Sequence, residues 1–154
     1  MGRIIPLLLA MLVSTAGVRA ESTMPVALAS TIAGNWHLVH ERTGMLRSIV
    51  RVEIRDGVAN ARVVSVHGDD ALKPVCDRCR GELAEHPMVG LPVFTDLRFD
   101  DGRWQGGRIL DPESGRFYRC EARLEKNGEV LRLRGYLGLP AFGRTLHWYR
   151  HRPL

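Results

Sequence analysis

The fold of this chain is decided by residues 106–150, which read GGRILDPESGRFYRCEARLEKNGEVLRLRGYLGLPAFGRTLHWYR. Apolar and polar residues alternate here with a period of two, which is typical of β-strands that bury one face. Turn sequences separate the alternating runs. In Asp-Pro-Glu-Ser-Gly, Pro112 fixes the backbone angle φ and Gly115 permits a positive φ. Asn127-Gly128 predicts a hairpin turn. The stretch therefore predicts consecutive antiparallel strands joined by short hairpins.

The same period continues toward the N-terminus. Apolar residues alternate with arginine and glutamate through residues 50–55, and Asp56-Gly57 predicts a hairpin turn into a strand at residues 58–66. A further strand is predicted to stop at residues 100–102, with one face formed by Val93, Thr95, Leu97 and Phe99. Two later strands have predicted faces formed by Tyr118, Cys120, Ala122 and Leu124, and by Leu131, Leu133 and Leu137.

About eight strands in sequence, with no long helical pattern between them, predict an all-β fold. A meander of this kind leaves two exposed edges unless its first and last strands pair. We therefore expect a small up-and-down antiparallel barrel of about eight strands, whose interior is just wide enough for side chains or one small ligand. An open sandwich of six to eight strands is the alternative.

The two ends of the predicted domain carry a second indication. Gly34-Asn35-Trp36 begins the first strand and Trp148-Tyr149-Arg150 ends the last. This pattern resembles lipocalin-type barrels, in which a Gly-x-Trp tryptophan plugs one end and a basic residue of the final strand lies across its ring. A guanidinium over an indole contributes roughly 0.5–2 kcal/mol. We expect Trp36 and Arg150 to form a structural closure of the barrel.

The first residues predict export. One early positive charge, an apolar run and small residues ending at Ala20 form the three parts of a secretory signal peptide at residues 1–20, cut after Ala20. A membrane-spanning helix needs roughly 20 apolar residues, and this run is shorter. We therefore expect a periplasmic or secreted protein with no membrane span in the mature chain. Residues 21–31 are a lead-in segment and residues 32–152 a single domain.

Several short motifs together resemble one family, the exported bacterial proteins grouped as domain of unknown function 2147. The motifs, in order, are Gly34-x-Trp36, Cys76-Asp77-Arg78-Cys79, Gly90-Leu91-Pro92, Trp104-Gln105-Gly106-Gly107-Arg108-Ile109, Asp111-Pro112-x-x-Gly115, Tyr118, Arg134-Gly135-Tyr136-Leu137-Gly138 and Gly143-Arg144-Thr145-x-x-Trp148-x-Arg150. The resemblance covers residues 34–150 and implies an exported single-domain protein. It implies no established activity and supplies no catalytic residue.

The three cysteines allow three interpretations. The favoured one is a disulfide, either between Cys76 and Cys79 or from one of them to Cys120, because exported chains fold in an oxidising compartment. A second is a zinc site completed by His67 or His86. A third is thiol–disulfide exchange at Cys-x-x-Cys, although the strand-then-helix context that lowers the thiol pKa is missing. We expect the disulfide and no bound metal.

The charge pattern argues against nucleic-acid binding. The chain has a formal net charge of +5, but its arginines are spread singly along strands rather than gathered in runs. Single charges of this kind are typical of a solvated strand face, whereas a nucleic-acid groove interleaves clustered basic residues with aromatics. We therefore expect no nucleic-acid partner.

The sequence favours a binding or accessory role over catalysis. No serine lies in a nucleophile-elbow motif, no phosphate loop is present, and the histidines show no metal-motif spacing; we expect no cofactor. The preferred hypothesis is a small-ligand-binding or stress-related accessory barrel that holds an apolar or amphipathic molecule in a mouth rimmed by residues 67–92 and 138–143. The alternatives are thiol exchange through the cysteine pair, or an enzyme whose mouth uses Tyr118, Arg134, Tyr136 and Arg144.

Overall fold

The computed structural model describes residues 31–152 of the 154-residue chain. The signal peptide predicted at residues 1–20 and all but the last residue of the lead-in segment lie outside the described residues. Short 3-10 helices lie at Gly68–Leu72, Gly81–Leu83, Lys126–Gly128 and Pro140–Phe142. The strands are β1 (Gly34–Val39), β2 (Leu46–Arg55), β3 (Val58–Val66), β4 (Pro92–Asp100), β5 (Arg103–Asp111), β6 (Arg116–Glu125), β7 (Val130–Tyr136) and β8 (Arg144–Arg150).

The strands form a closed barrel. Each strand pairs antiparallel with its neighbours in sequence, and β8 pairs with β1. The predicted up-and-down antiparallel barrel of eight strands is confirmed, and the open-sandwich alternative is wrong. Closure removes the two strand edges that a meander would otherwise expose. Within residues 31–152, no helix is long and apolar enough to cross a membrane.

The two ends of the barrel differ. One end, which we call the tight-turn end, carries the short connections at residues 56–57, 101–102 and 126–129. The opposite end, the loop end, carries residues 40–45, 67–91, 112–115 and 137–143. Both segments that the sequence assigned to the barrel mouth therefore lie at the loop end.

Apolar side chains fill the barrel interior. Trp36 and Leu131 are fully buried, and the ring of Phe94 stacks on that of Trp148 with centroids 5.9 Å apart. The inward face predicted for β6 is confirmed, since Cys120 is buried and the other predicted members pack against the same core. Burial of these large side chains supplies the main favourable contribution to folding.

The face predicted for β4 is wrong. Phe94 and Leu97 are both fully buried, whereas Phe99 is 62% exposed. The register between β3 and β4 shifts here, and Asp96 has a positive φ of 66°. The side-chain oxygen of Asn60 accepts a hydrogen bond from the Asp96 amide at 3.1 Å. The extra residue of this bulge breaks the period of two, so the inward positions are three residues apart.

The inward face predicted for β7 is too long by one residue. The strand ends at Tyr136, and Leu137 is 61% exposed in the connection that follows. Leu131 and Leu133 are fully buried as predicted. The alternation of apolar residues continues past the end of β7 into the β7–β8 connection, where Leu137 is not part of the core.

A short ladder closes the barrel between β1 and β8. It contains three residue pairs, among them Trp36 with Arg150 and His37 with Tyr149. The guanidinium carbon of Arg150 lies 4.2 Å from the centroid of the Trp36 ring. The same guanidinium donates hydrogen bonds to three backbone carbonyls, those of Thr31, Ala33 and Gly128. The structure thus brings together the two residues that the sequence assigned to closure.

Candidate functional site

The barrel interior opens toward the loop end. Inward-facing side chains in the middle of the barrel wall, such as Val52 and Leu131, are at most 2% exposed. Some inward-facing side chains nearer the loop end are only half buried, namely Leu38 on β1, Tyr118 on β6 and Leu146 on β8, as are Ile54 and Leu124 near the tight-turn end. A side chain that faces the inside of a closed barrel can meet solvent only through an open end. Leu38, Tyr118 and Leu146 therefore give the loop end of the interior a solvent-accessible, mostly apolar lining.

One polar side chain lies in this apolar lining. Ser48 is 7% exposed, and among the described residues it is the buried polar one. It lies on β2 directly opposite Leu38, on the inward face shared with Val50. Small-molecule sites in proteins generally combine an apolar lining with a few polar groups that orient the bound molecule. The Ser48 hydroxyl can supply that orienting hydrogen bond.

Two connections are joined across the loop end by one arginine. Arg47 donates from Nε and Nη2 to the carboxylate of Asp70, at 2.6 and 3.0 Å, and Nη2 also lies 3.4 Å from Glu113. Asp70 belongs to the β3–β4 connection and Glu113 to the turn between β5 and β6. The hydrogen bond to Asp70, together with the nearby carboxylates, raises the pKa of Arg47. The three groups form an ionic clasp at the rim of the mouth, which the sequence analysis missed.

The β3–β4 connection packs against the turn at residues 111–115. The Sγ atom of Cys76 lies 3.9 Å from the carbonyl oxygen of Pro112. A Cβ atom at Gly115 would overlap the backbone carbonyl of Arg78. Leu91, at the end of the connection, is 2% exposed. The segment is therefore packed onto the barrel along much of its length, although its sequence shows no strong period.

The cysteines form one pair and one buried thiol. The sulfurs of Cys76 and Cys79 lie at bonding distance, with Cα atoms 5.4 Å apart, which suits a disulfide. Cys120 is unpaired and 1% exposed inside the barrel. The pairing of either cysteine with Cys120, one of the predicted alternatives, is therefore wrong: the Cys120 side chain points into the core. Burial, with a smaller contribution from Glu121, raises the pKa of the Cys120 thiol to about 12.

The zinc interpretation does not fit this arrangement. Both cysteine sulfurs are engaged with each other, and the described residues contain no group of three or more side chains positioned to hold a metal ion. His67 is hydrogen-bonded to the hydroxyl of Ser65 at 2.9 Å, and His86 to the carbonyl of Pro87 at 2.6 Å. The structure places neither histidine with the cysteines as a ligand set.

Thiol labelling gives a direct test of this cysteine arrangement. Iodoacetamide is expected to modify no cysteine in the folded protein, because the Cys120 thiolate that would react is suppressed by burial. Unfolding without reduction should expose Cys120 alone, and unfolding with reduction should expose all three cysteines. Mass spectrometry of the labelled peptides identifies each site. Labelling of Cys76 or Cys79 in unreduced, unfolded protein would contradict the pairing.

The residues named for an enzyme site do not converge. Tyr118 faces the interior, whereas Tyr136 stands opposite Arg119 on the outer face. Arg134 is bound to the carbonyls of the β7–β8 connection, and Arg144 lies 3.3 Å from Glu41 at the rim of the loop end. The four side chains therefore have separate surroundings and share no reaction centre.

The outer wall also contains a concavity. A groove of about 240 Å³ lies beside the bulge between β3 and β4. Asn60, Arg62 and Thr95 form its edges, while the inward-facing Phe94 contributes to its base. Gly90 and Pro92 also line the groove, so it adjoins the end of the β3–β4 connection.

A histidine pair that the sequence analysis missed lies at the β1–β8 seam. Nε2 of His37 and Nδ1 of His151 are hydrogen-bonded, with ring centroids 4.5 Å apart. The residues are 114 positions apart in sequence, so no local motif could reveal them. Burial, followed by the nearby His151 and His67, lowers the pKa of His37 below its usual value of 6.5.

The lowered pKa predicts a pH dependence of stability. A histidine that prefers to be neutral in the folded state contributes fully above its unfolded pKa of 6.5, and this contribution is lost as pH falls toward the folded pKa. We expect the urea concentration at the midpoint of unfolding to be lower at about pH 5.5 than at about pH 7.5, two values that lie on either side of that pKa. His37→Gln should reduce this decrease in the urea midpoint, whereas His147→Gln, at an exposed position on β8, should leave it as it is in the wild type. An equal slope in wild type and His37→Gln would contradict the assignment.

Comparison with known proteins agrees with the fold. A family model described as an uncharacterized protein conserved in bacteria (DUF2147) matches residues 34–150. Among solved structures, protein HP1028 of Helicobacter pylori, described as belonging to the lipocalin family, is similar with a TM-score of 0.66 and 19% identity, over 79% of this chain and 84% of that chain. At this identity the likeness shows a shared fold. A search of curated proteins finds no significant match.

The family match spans most of the chain and covers the residues that carry the motifs. It also agrees with the closed barrel, since the matched residues begin at the first strand and end at the last. On these grounds the chain belongs to the bacterial DUF2147 family.

Proposed function

We propose that the protein binds a small apolar or amphipathic molecule in the loop-end half of the barrel interior. The observation that carries the proposal is the decrease in burial along the inward face, from fully buried Trp36 to half-buried Leu38 on the same strand. An eight-stranded barrel is just wide enough to hold one small ligand, and lipocalin-type barrels are the type case of this geometry. The lipocalin-like fold of the structural neighbour supports the proposal.

The lining indicates the chemistry of the ligand. Leu38 and Leu146 offer apolar contact, and Tyr118 offers an aromatic ring with a hydroxyl. Ser48 supplies a second hydroxyl deeper in the lining. The complementary molecule has an apolar body and carries a hydroxyl, carbonyl or carboxylate group that reaches Ser48.

The binding site can be tested by filling it. We use the fluorescent fatty acid cis-parinaric acid as the probe and expect saturable binding with one molecule per barrel. Leu146→Trp should weaken binding by about tenfold or more, because the larger side chain occupies the space. His147→Trp places the same ring on the outside of the same strand and should leave binding unchanged. Thermal melting of both variants verifies folding.

A second variant separates the polar contact from the packing. Ser48→Ala removes only a hydroxyl and is expected to weaken binding of the carboxylated probe by about threefold to tenfold, the effect of one hydrogen bond. The proposal is wrong if the wild type shows no saturable binding, or if the inward and outward tryptophan variants lose affinity equally.

We also propose that the protein is exported to the periplasm or secreted. The three-part leader at residues 1–20 supports this, as does the Cys76–Cys79 pair, since disulfides persist in oxidising compartments. The intact mass of protein recovered from the cell envelope should correspond to a chain that begins at Glu21. A recovered chain that retained residues 1–20 would contradict export by this route.

Two other functions receive less support. Thiol–disulfide exchange needs an accessible sulfur, but Cys76 and Cys79 are 1% and 7% exposed. The residues between them form a turn rather than the start of a helix, so no helix dipole lowers a thiol pKa. An enzyme in the barrel mouth would need convergent titratable groups, and the four named candidates do not converge.

A further inference from the structure

The connection between β7 and β8 presents three large apolar side chains to solvent. Leu137, Leu139 and Phe142 are 61%, 66% and 83% exposed. Arg134 holds this loop, because its Nε and Nη2 atoms donate to two carbonyl oxygens of the segment Pro140–Phe142 at 2.5 and 3.0 Å. The loop backbone is therefore fixed in a conformation that keeps its apolar side chains exposed. Such exposure on one side of a soluble domain marks an interaction surface.

A pair of arginines lies beside this loop on the outer face. Arg108 on β5 and Arg119 on β6 stand directly opposite each other in the ladder. Like charges in this position destabilise a sheet. Neither arginine forms an ion pair with a carboxylate in the part of the chain that the structure describes. Arg119 also stands opposite Tyr136, the residue before Leu137, so the arginine pair adjoins the apolar loop.

Two acidic side chains close in the chain or sheet to this surface are already engaged. Glu121, the next outward residue on β6, lies 3.7 Å from Arg103. Glu41 on the neighbouring connection lies 3.3 Å from Arg144. The surface around the apolar loop therefore retains unneutralised positive charge, which is complementary to an anionic partner.

We propose that the apolar loop and the arginine pair dock the barrel onto the anionic surface of a lipid bilayer. The three apolar side chains enter the boundary between headgroups and acyl chains, and the arginines pair with lipid phosphates. Peripheral binding of this kind combines buried apolar area with attraction between basic residues and anionic lipids. The proposal goes beyond ligand binding in the interior and is independent of it. It would direct the loop end, where the interior opens, toward the membrane.

Co-sedimentation with vesicles tests the proposal. We expect the protein to bind vesicles of phosphatidylethanolamine and phosphatidylglycerol, and to bind phosphatidylcholine vesicles weakly or not at all. Phe142→Ser should weaken binding about tenfold, as expected for loss of one buried aromatic side chain. Arg119→Ser should weaken it about fivefold, and high salt should release the protein. The same purified form of the chain is used in every binding measurement, so that any contribution of residues 1–30 to vesicle binding is the same in all of them.

Two matched variants separate this surface from general stickiness. Phe99→Ser removes an aromatic side chain that is 62% exposed, but at the tight-turn end. Arg62→Ser removes one arginine of another directly opposed pair, with Arg51, on the wall formed by β2 and β3. Both should bind vesicles as the wild type does. Absence of binding to anionic vesicles would overturn the proposal. Equal losses of vesicle binding in Phe142→Ser and Phe99→Ser would also overturn it, and so would equal losses in Arg119→Ser and Arg62→Ser. Binding of a protein partner by the loop, without vesicle binding, would also overturn it.

Discussion

Replacing Trp36 with alanine is expected to lower the free energy of unfolding by about 3–5 kcal/mol, the usual cost of truncating a buried aromatic side chain. Trp36 is fully buried, and its indole N–H donates to the carbonyl of Ile32 at 2.9 Å. It also lies on β1 at the closing ladder, which contains only three residue pairs. The loss of its ring removes core volume and the platform on which Arg150 lies. Urea unfolding monitored by circular dichroism measures the effect.

Arg150→Ala is expected to cost less, about 1–3 kcal/mol, because it leaves backbone carbonyls without donors but creates little core cavity. Its guanidinium donates to the carbonyls of Thr31, Ala33 and Gly128 and lies 4.2 Å from the Trp36 ring centroid. The double variant should cost less than the sum of the single variants by about 0.5–2 kcal/mol, since both remove the same contact. Additive costs would show that the two side chains stabilise the barrel independently.

The barrel could be predicted because its determinants are local. Each hairpin is specified by a short turn sequence such as Asp56-Gly57, and each strand by an alternation that runs over several residues. Closure followed from a general argument, since a meander with free edges is unfavourable. The strand β3 begins and ends at the predicted residues, 58–66, and β8 ends at the predicted residue, Arg150. These features need no knowledge of which residues meet in space.

The errors arise where tertiary contacts override the local pattern. The bulge in β4 places Phe94 and Leu97 inward because Asn60, 36 positions away from Asp96 in sequence, supports the positive φ of that residue. Leu137 continues the apolar alternation of β7 but belongs to the exposed loop. In both cases the period of two is present in the sequence, and the position of the neighbouring strand or loop decides which residue is buried.

The candidate site was predictable in outline only. The sequence placed the mouth at the segments that the barrel brings to its loop end, and it named Tyr118 for the mouth. Ser48 and the clasp at Arg47 were missed because isolated serine and arginine residues occur on most strands and carry no motif. The His37–His151 pair was missed for a different reason, as its members come from the first strand and from the residue after the last strand. Only the closed ladder brings them together.

Gly115 connects the predicted turn to a contact that the sequence could not show. The Asp-Pro-Glu-Ser-Gly pattern explains why a glycine with a positive φ ends the turn, and the observed φ is 67°. The backbone carbonyl of Arg78, within the Cys76–Cys79 loop, packs directly against the Cα atom of Gly115, because a Cβ atom there would overlap it. The disulfide loop is therefore seated on the turn by direct backbone contact, in addition to the contact of the Cys76 sulfur with Pro112.

Gly115→Ala is expected to destabilise the protein by about 2–5 kcal/mol, from backbone strain of about 1–2 kcal/mol and overpacking of about 1–3 kcal/mol. Gly102→Ala is the matched control: Gly102 has a similar φ of 74°, but nothing lies within 4 Å of its Cβ position. It should incur only the strain contribution. Displacement of the disulfide loop should also make the Cys76–Cys79 bond react faster with dithiothreitol in Gly115→Ala than in Gly102→Ala. Equal stability losses and equal reduction rates would mean that the loop does not rest on the turn. Residue 115 does not touch the sulfur atoms of Cys76 and Cys79. A substitution there should change access to those sulfurs because it moves the disulfide loop that holds them.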